Sequence, residues 1–105
     1  MNTNIEHWDK KWGDLNERNM RKVIESRGYN VVKYVYPPGT YFPDHKHAFD
    51  KMDTVLNGKF KIEALGKMFV LEAGDLLHVP AGLVHNAEVL GDEDVVSLDA
   101  SKVGY

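Results

Sequence analysis

Residues 39–58 read GTYFPDHKHAFDKMDTVLNG, and residues 74–85 read GDLLHVPAGLVH. Within the first segment, His45 and His47 are one residue apart, so on an extended chain both side chains project to the same side. His85 follows forty residues after His45, at the end of the second segment. If a distant strand brings His85 to the other two, the three imidazoles form a site of the kind that holds a divalent transition metal.

Length and composition limit the classes of protein to which this chain can belong. Its 105 residues are enough for one compact domain, and 43% of them are hydrophobic, so a core is possible. The 16 acidic residues outnumber the 13 basic ones, which argues against nucleic acid or an anionic membrane as main partner because phosphate binding needs a basic face. The chain has no cysteine, so any metal must be bound by imidazole and carboxylate groups.

The sequence carries no membrane or export signal. No apolar run approaches the length of a membrane span. The first residues lack the basic start and the apolar stretch of a signal peptide. We therefore expect a cytoplasmic protein.

One helix is predicted near the N-terminus, from about Leu15 to Arg27. Asp14 can cap it, and Glu17 three residues later completes a capping box. Gly28 is expected to end it. Apolar residues recur at helical spacing along this segment, so we expect one face of the helix to pack on the core.

The pattern changes to short strands from Tyr29 onward. Asn57-Gly58 is the strongest hairpin signal in the chain, and it is expected to join strands at Met52–Leu56 and Lys59–Leu65. Polar and apolar residues alternate in the second of these strands, which predicts one wet face and one dry face. Strands at roughly ten-residue spacing, with turns between them, indicate a sandwich or barrel.

The two glycine-punctuated segments resemble the paired motifs of the cupin family, over residues 34–98. The resemblance implies an all-β cupin jelly-roll barrel (a double-stranded β-helix) with one N-terminal α-helix. Residues 1–28 would form the arm and helix, and residues 29–105 the barrel, as a single domain overall. The positions that match the structural residues of the motifs are Gly39, Gly58, Gly74, Pro80 and Gly82.

The resemblance also implies a set of metal ligands. His45 and His47 match the two histidines of the first motif, and His85 matches the histidine of the second. The implied cofactor is a divalent transition metal, and Fe, Mn, Ni, Cu and Zn all suit such ligands. His78 is expected to line the barrel or an interface rather than to bind the metal.

Lys51 departs from the family pattern. Family members usually have Glu, sometimes Gln or His, as a fourth ligand seven residues before the glycine that corresponds to Gly58, and that position is Lys51 here. An ammonium group has no lone pair to offer a metal. At about 5 Å and an effective dielectric near 20, its repulsion of a divalent ion would cost about 6 kcal/mol.

Three arrangements would relieve this repulsion. A β-bulge could turn Asp50 inward as the fourth metal ligand and Lys51 outward. Alternatively, Lys51 pairs with Asp53 inside the barrel, and the metal has three histidines plus water or substrate. In the third arrangement Lys51 has replaced the metal, and the pocket is metal-free.

Two main functions are compatible with such a site. The first is a metal-dependent dioxygenase, or a related isomerase or lyase, that acts on a small organic acid. Lys51 would then be a catalytic residue that orients the substrate carboxylate or stabilises an enolate. The second is a non-catalytic cupin that binds or senses a small ligand, with or without metal. A structural barrel whose histidines bind nothing is a third reading, because fold does not determine function.

The partners that we expect are a small molecule and a second copy of the chain. Small jelly rolls leave edge strands that need covering, which favours a homodimer. The strand near Asn30–Tyr36, together with the arm that carries Trp8 and Trp12, could supply the interface. The two tryptophans are four residues apart and are expected to cover one end of the domain or a neighbouring subunit.

Overall fold

The computed structural model describes residues 3–102, so residues 1–2 of the predicted arm and 103–105 of the predicted barrel lie outside the described part. Its elements, in chain order, are β1 (Ile5–Glu6), a 3₁₀ helix (Lys10–Trp12), α1 (Glu17–Ser26), β2 (Asn30–Tyr36), β3 (Tyr41–His45), β4 (Asp50–Thr54), β5 (Lys59–Ala64), β6 (Lys67–Leu71), β7 (Leu76–Val79), β8 (His85–Leu90) and β9 (Val95–Lys102). None of the helices in this part is long and apolar enough to cross a bilayer.

The strands form two antiparallel sheets that pack face to face. One has the order β1-β7-β4-β9-β2, and the other has the order β3-β8-β5-β6. The predicted all-β jelly roll with one N-terminal helix is therefore confirmed. The sheets are not closed into a continuous barrel, which leaves β2 at an edge of the first sheet.

The main core lies between the two sheets. In β5, Phe60, Ile62 and Ala64 are buried, whereas the intervening residues point outward, so the predicted alternation is confirmed. Val55 and Leu71 are fully buried in the same cluster. Burial of each large apolar side chain contributes about 1.5–3 kcal/mol, so this layer holds the two sheets together.

A second core lies on the outer face of the five-stranded sheet, under α1. Met20 and Ile24 of the helix are fully buried against a cluster that includes Leu98. Trp8 and Trp12 pack against this cluster, with their ring centroids 5.0 Å apart in an edge-to-face arrangement. The tryptophans therefore cover one end of the domain.

The helix begins two residues later than the sequence predicts. Asn16, not Asp14, is its N-cap, because the Asn16 side chain accepts a hydrogen bond from the backbone N–H of Asn19 at 2.8 Å. The side-chain amide of Asn19 in turn donates to the carbonyl of Asp14, which ties the residues before the helix to its first turn. The helix ends near Gly28, as predicted, and this glycine has a φ of +91°.

The predicted hairpin at Asn57-Gly58 is wrong. β4 and β5, which flank it, belong to different sheets, so this turn carries the chain from one sheet to the other. The side-chain amide of Asn57 donates to the backbone carbonyl of Asp94 at 2.9 Å. The backbone carbonyl of Asn57 accepts a hydrogen bond from the N–H of Val96. Contacts with a distant segment therefore override the local preference.

The tight hairpin of the second sheet lies at Leu65-Gly66, between β5 and β6. Both residues have positive φ, at 56° and 69°, which matches the right-handed twist of the strands they join. Leucine rarely adopts this conformation, so Leu65-Gly66 is a weaker hairpin signal than Asn57-Gly58.

β2 presents an apolar edge to solvent. Val32, Tyr34 and Val35 are exposed on this strand. An uncovered edge strand of this kind favours pairing with another chain. The homodimer through Asn30–Tyr36 stays a prediction.

We predict that Gly58→Ala destabilises the protein much more than Gly39→Ala. Both glycines have positive φ, at +86° and +83°, so each alanine costs about 1–2 kcal/mol of backbone strain. At Gly58 the added Cβ would also lie 2.6 Å from the carbonyl oxygen of Asp94, whereas at Gly39 it would meet nothing within 4 Å. Urea denaturation of both variants measures the difference, and equal midpoints would contradict this account of the crossover.

Candidate metal centre

The fold brings the three predicted histidines together. His45 is the last residue of β3, His85 is the first of β8, and the two are paired across these antiparallel strands. His47 follows in the next loop. One ring nitrogen from each histidine lies within 4.8 Å of the other two, and the closest ring centroids, those of His45 and His85, are 4.2 Å apart.

A bulge in β3 sets the position of His45. The pairing of β3 with β8 shifts register between Phe42 and His45, which re-aims the end of the strand. The loop that follows is held in place because the backbone N–H of Gly82 donates to the carbonyl of His47 at 2.9 Å. The two motifs are therefore tied together by the backbone as well as by their histidines.

Backbone carbonyls orient two of the three imidazoles. Nδ1 of His45 lies 2.7 Å from the carbonyl oxygen of Pro43, and Nδ1 of His85 lies 2.9 Å from that of Leu83. A carbonyl can only accept, so in both rings Nδ1 carries the hydrogen and Nε2 keeps its lone pair. This is how metal-binding histidines are commonly held, with one nitrogen anchored and the other directed at the ion.

The electrostatics of the pocket favour neutral imidazoles. Burial lowers the pKa of His47, and the positive charge of Lys51 lowers it further. Burial also lowers the pKa of His85, although its hydrogen bond to Leu83 acts in the opposite direction. Since a metal ligand must be deprotonated, these two side chains are in the binding form at neutral pH.

The histidines line a cavity of about 150 Å³ between the two sheets. Part of the lining is aromatic and is formed by Tyr36, Phe42 and Phe60, whose rings contact one another. The charged part is formed by Lys51, Asp53 and Asp99. One enclosed water needs about 10–15 Å³ of such volume, so the cavity has room for several water-sized groups.

Lys51 points into this cavity and forms an ion pair there. Its Nζ lies 2.6 Å from Oδ1 of Asp99 and 3.1 Å from Oγ of Ser101, and its side chain is only 13% exposed. The ion pair resembles the second predicted arrangement, in which a carboxylate inside the barrel neutralises Lys51. The partner is Asp99 on the neighbouring strand rather than Asp53, because β9 pairs directly with β4.

Asp50 lies outside the histidine group, and Lys51 rather than Asp50 lines the cavity. The pairing of β4 with β7 and β9 runs in one continuous register without a bulge, and side chains alternate between faces along it. Oδ1 of Asp50 accepts from the backbone N–H of Ala81 at 2.8 Å, and Oδ2 lies 3.5 Å from Nε2 of His78. His78 therefore sits with Asp50, away from the three imidazoles.

Asp53 and Asp99 are pocket residues that the sequence pattern did not mark as a pair. Burial raises the pKa of Asp53 to about 7, the nearby Asp99 raises it too, and Lys51 opposes both. One feature of the sequence could have marked Asp99 as a pocket residue. It is an acidic residue inside the strand VVSLDASK, and its neighbours Leu98 and Ala100 are buried. A charge within a strand buried on one face indicates a polar interior on the other.

Comparison with known proteins places these features in a wider group. The family model described as a cupin domain matches residues 32–101. The chain is 35% identical over 78 residues to the bifunctional lysine-specific demethylase and histidyl-hydroxylase NO66 of Branchiostoma floridae, a match that covers 70% of this chain and 12% of that protein. The chain thus spans about one eighth of the length of this relative.

Solved structures share the fold. A cupin-like protein from Thermotoga maritima aligns with a TM-score of 0.64 and 22% identity, over 95% of this chain and 68% of that one. An uncharacterized conserved protein with a double-stranded β-helix domain, from Klebsiella pneumoniae, aligns with a TM-score of 0.62 and 26% identity, over 71% of this chain and 67% of that one.

We predict that Asp53→Asn changes how the stability of the metal-free protein depends on pH. An ordinary Asp has a pKa near 3.9, so between about pH 4 and pH 7 the folded wild type binds more protons than the unfolded chain, and its stability falls as the pH rises. Asparagine removes this loss. Urea denaturation with a chelator should show the variant gaining about 2 kcal/mol on the wild type between pH 5 and pH 8.

The matched control for this comparison is Glu63→Gln, which removes an exposed carboxylate from the outer face of β5. Its stability should follow the wild type across the same pH range. A wild type and an Asp53→Asn variant with parallel pH profiles would contradict the raised pKa.

Proposed function

The chain belongs to the cupin domain family, and we propose that His45, His47 and His85 hold a divalent transition metal beside a pocket for a small-molecule ligand. The convergence of one nitrogen from each of the three imidazoles on a cavity wall carries this proposal. The hydrogen bonds of two rings to backbone carbonyls add to it, because they direct Nε2 of each ring away from the chain.

The donor set fits such an ion. Neutral imidazoles suit Fe, Mn, Ni, Cu and Zn alike, so the ligand atoms leave the choice among these metals open. Three protein ligands leave coordination positions unfilled. When bound, the ion would supply a Lewis acid and open positions for a chelating substrate or for dioxygen.

A metal-dependent dioxygenase or isomerase acting on a small organic acid is the function that the pocket favours. The cavity suits a small ligand, and its lining offers aromatic side chains for apolar contact as well as charged groups. The similarity to a protein named as a demethylase and hydroxylase supports oxygen chemistry, although it covers 12% of that protein.

Lys51 is proposed to orient the ligand carboxylate. The ammonium group has three N–H bonds, of which Asp99 and Ser101 take two. The third can donate to a carboxylate that enters the cavity. Because Asp99 already balances the charge of Lys51, this contact would fix the orientation of the ligand more than its affinity.

The alternative is a binding or sensing cupin that turns nothing over. The position of Lys51 favours it, since the residue that stands where the family usually has a fourth ligand is engaged in an ion pair instead. Under this alternative the same cavity holds a small ligand, with or without metal, and a partner would read the bound state.

We predict that the purified protein binds about one transition metal ion per chain and that His45→Ala abolishes this binding. Loss of a ligand should lower the metal affinity by more than about 10–100-fold. That smaller loss is typical when only a group that hydrogen-bonds to a ligand is removed. Asp50→Asn is the matched control, because Asp50 lies outside the histidine group, and it should retain wild-type affinity. Equilibrium dialysis with elemental analysis measures both.

Two results would contradict the metal site. The first is a wild type that holds no metal after Fe, Mn, Ni, Cu and Zn have each been added back. The second is an Asp50→Asn variant that loses as much affinity as His45→Ala.

Turnover separates the enzyme from the binding module. For the enzyme, the metal-loaded protein should consume oxygen or convert a small diketone or hydroxy acid, and His45→Ala should abolish the activity. For the module, the same compounds should raise the unfolding free energy without conversion, by about 2.7 kcal/mol at a ligand concentration of 100 times Kd. Oxygen uptake and thermal shift on the same samples discriminate the two.

A further inference from the structure

Two carboxyl groups from adjacent strands line the pocket. In the pairing of β4 with β9, Lys51 lies opposite Ser101 and Met52 lies opposite Ala100. Asp53 follows Met52 in β4 and Asp99 precedes Ala100 in β9, and both line the cavity. Like charges on neighbouring strands that share one cavity repel each other, so these two groups need compensation.

One cation serves these two acids. Lys51 lies diagonally across the strands from Asp99 and pairs with it at 2.6 Å, so the charge of one carboxylate is balanced and that of the other is not. On the far side of β9, β2 contributes Tyr36, and burial together with the two aspartates raises the pKa of its hydroxyl. Tyr36 is therefore neutral and adds no positive charge.

The other titratable groups that line the cavity are the imidazoles of His45, His47 and His85. His47 comes from the loop after β3 and His85 from β8, and both have lowered pKa values because they are buried. Neither supplies a positive charge at neutral pH. When the site is without metal, a proton is thus the available compensation for the second carboxyl group.

We propose that Asp53 holds a proton in the cavity that it shares with Asp99 and Lys51, and that this proton is released when a divalent cation binds to His45, His47 and His85. This inference rests on the proposed metal site. The ionised carboxylate would supply the negative charge that a fourth carboxylate ligand supplies in related proteins, without contacting the ion.

The coupling must act in both directions. If the bound cation favours ionisation of Asp53, ionisation of Asp53 must strengthen cation binding by the same factor. The affinity for the cation should therefore rise between pH 6 and pH 8 more steeply in the wild type than in a variant whose residue 53 cannot ionise. Asp53→Asn is such a variant, and it keeps the shape of a protonated aspartate.

Titration calorimetry with Zn²⁺ in buffers of different ionisation enthalpy counts the protons that leave on binding. The wild type should release more than Asp53→Asn, by up to about 0.9 proton per ion at pH 6, about 0.5 at pH 7 and about 0.1 at pH 8, from a carboxyl pKa of about 7. Glu63→Gln is the control, and it should release as many protons as the wild type.

The outcomes separate this inference from the proposed function. Equal proton release by the wild type and Asp53→Asn, with about one ion bound to each, would overturn the claim that Asp53 carries the released proton. The proposed metal site would not be contradicted. A wild type that binds no ion overturns both.

A second measurement covers the case in which Asp53→Asn fails to fold. Carboxyl ¹³C signals of the wild type should show one aspartate with a midpoint near pH 7 in the metal-free protein, and this midpoint should fall by at least about one pH unit with Zn²⁺. A midpoint that zinc leaves unchanged overturns the inference.

Discussion

The inner faces of the two sheets form an apolar core over only part of their length, and the rest of the interior is the polar cavity. The candidate metal site depends on this division. Val55, Leu71 and Val95 are fully buried in the apolar part. Beyond them the interior becomes polar, because Asp53 of β4 and Asp99 of β9 line the cavity. The apolar layer holds the strands in register, and that register in turn fixes the opposing charges.

The ion pair between Lys51 and Asp99 makes a lysine tolerable at a position that usually carries a metal ligand. Buried pairs of this kind contribute little net stability, since desolvation offsets most of their attraction. Their value here is positional, because Asp99 balances the ammonium charge where a divalent ion would otherwise meet it. The bulge in β3 acts on the opposite side of the cavity, where it sets His45 against His85.

Some parts of the molecule could be read from local patterns, and others could not. The alternation in β5 and the end of the helix near Gly28 followed from periodicity and from backbone preference. The crossover at Asn57-Gly58 did not, because its hydrogen bonds go to Asp94 and Val96, which lie almost forty residues away in sequence. The helix cap moved to Asn16 because several residues nearby can cap a helix, and only the packed chain selects one.

By itself, the sequence determined the jelly-roll fold and the three histidines, because glycine spacing and histidine spacing are local properties that a strand or a turn requires of its residues. The tertiary structure decided which carboxylate meets Lys51, that Asp50 turns to Ala81 and that Asp53 and Asp99 line one cavity. These contacts depend on which strands become neighbours. That pairing is set by burial of the whole interior, so no single segment of the chain specifies it.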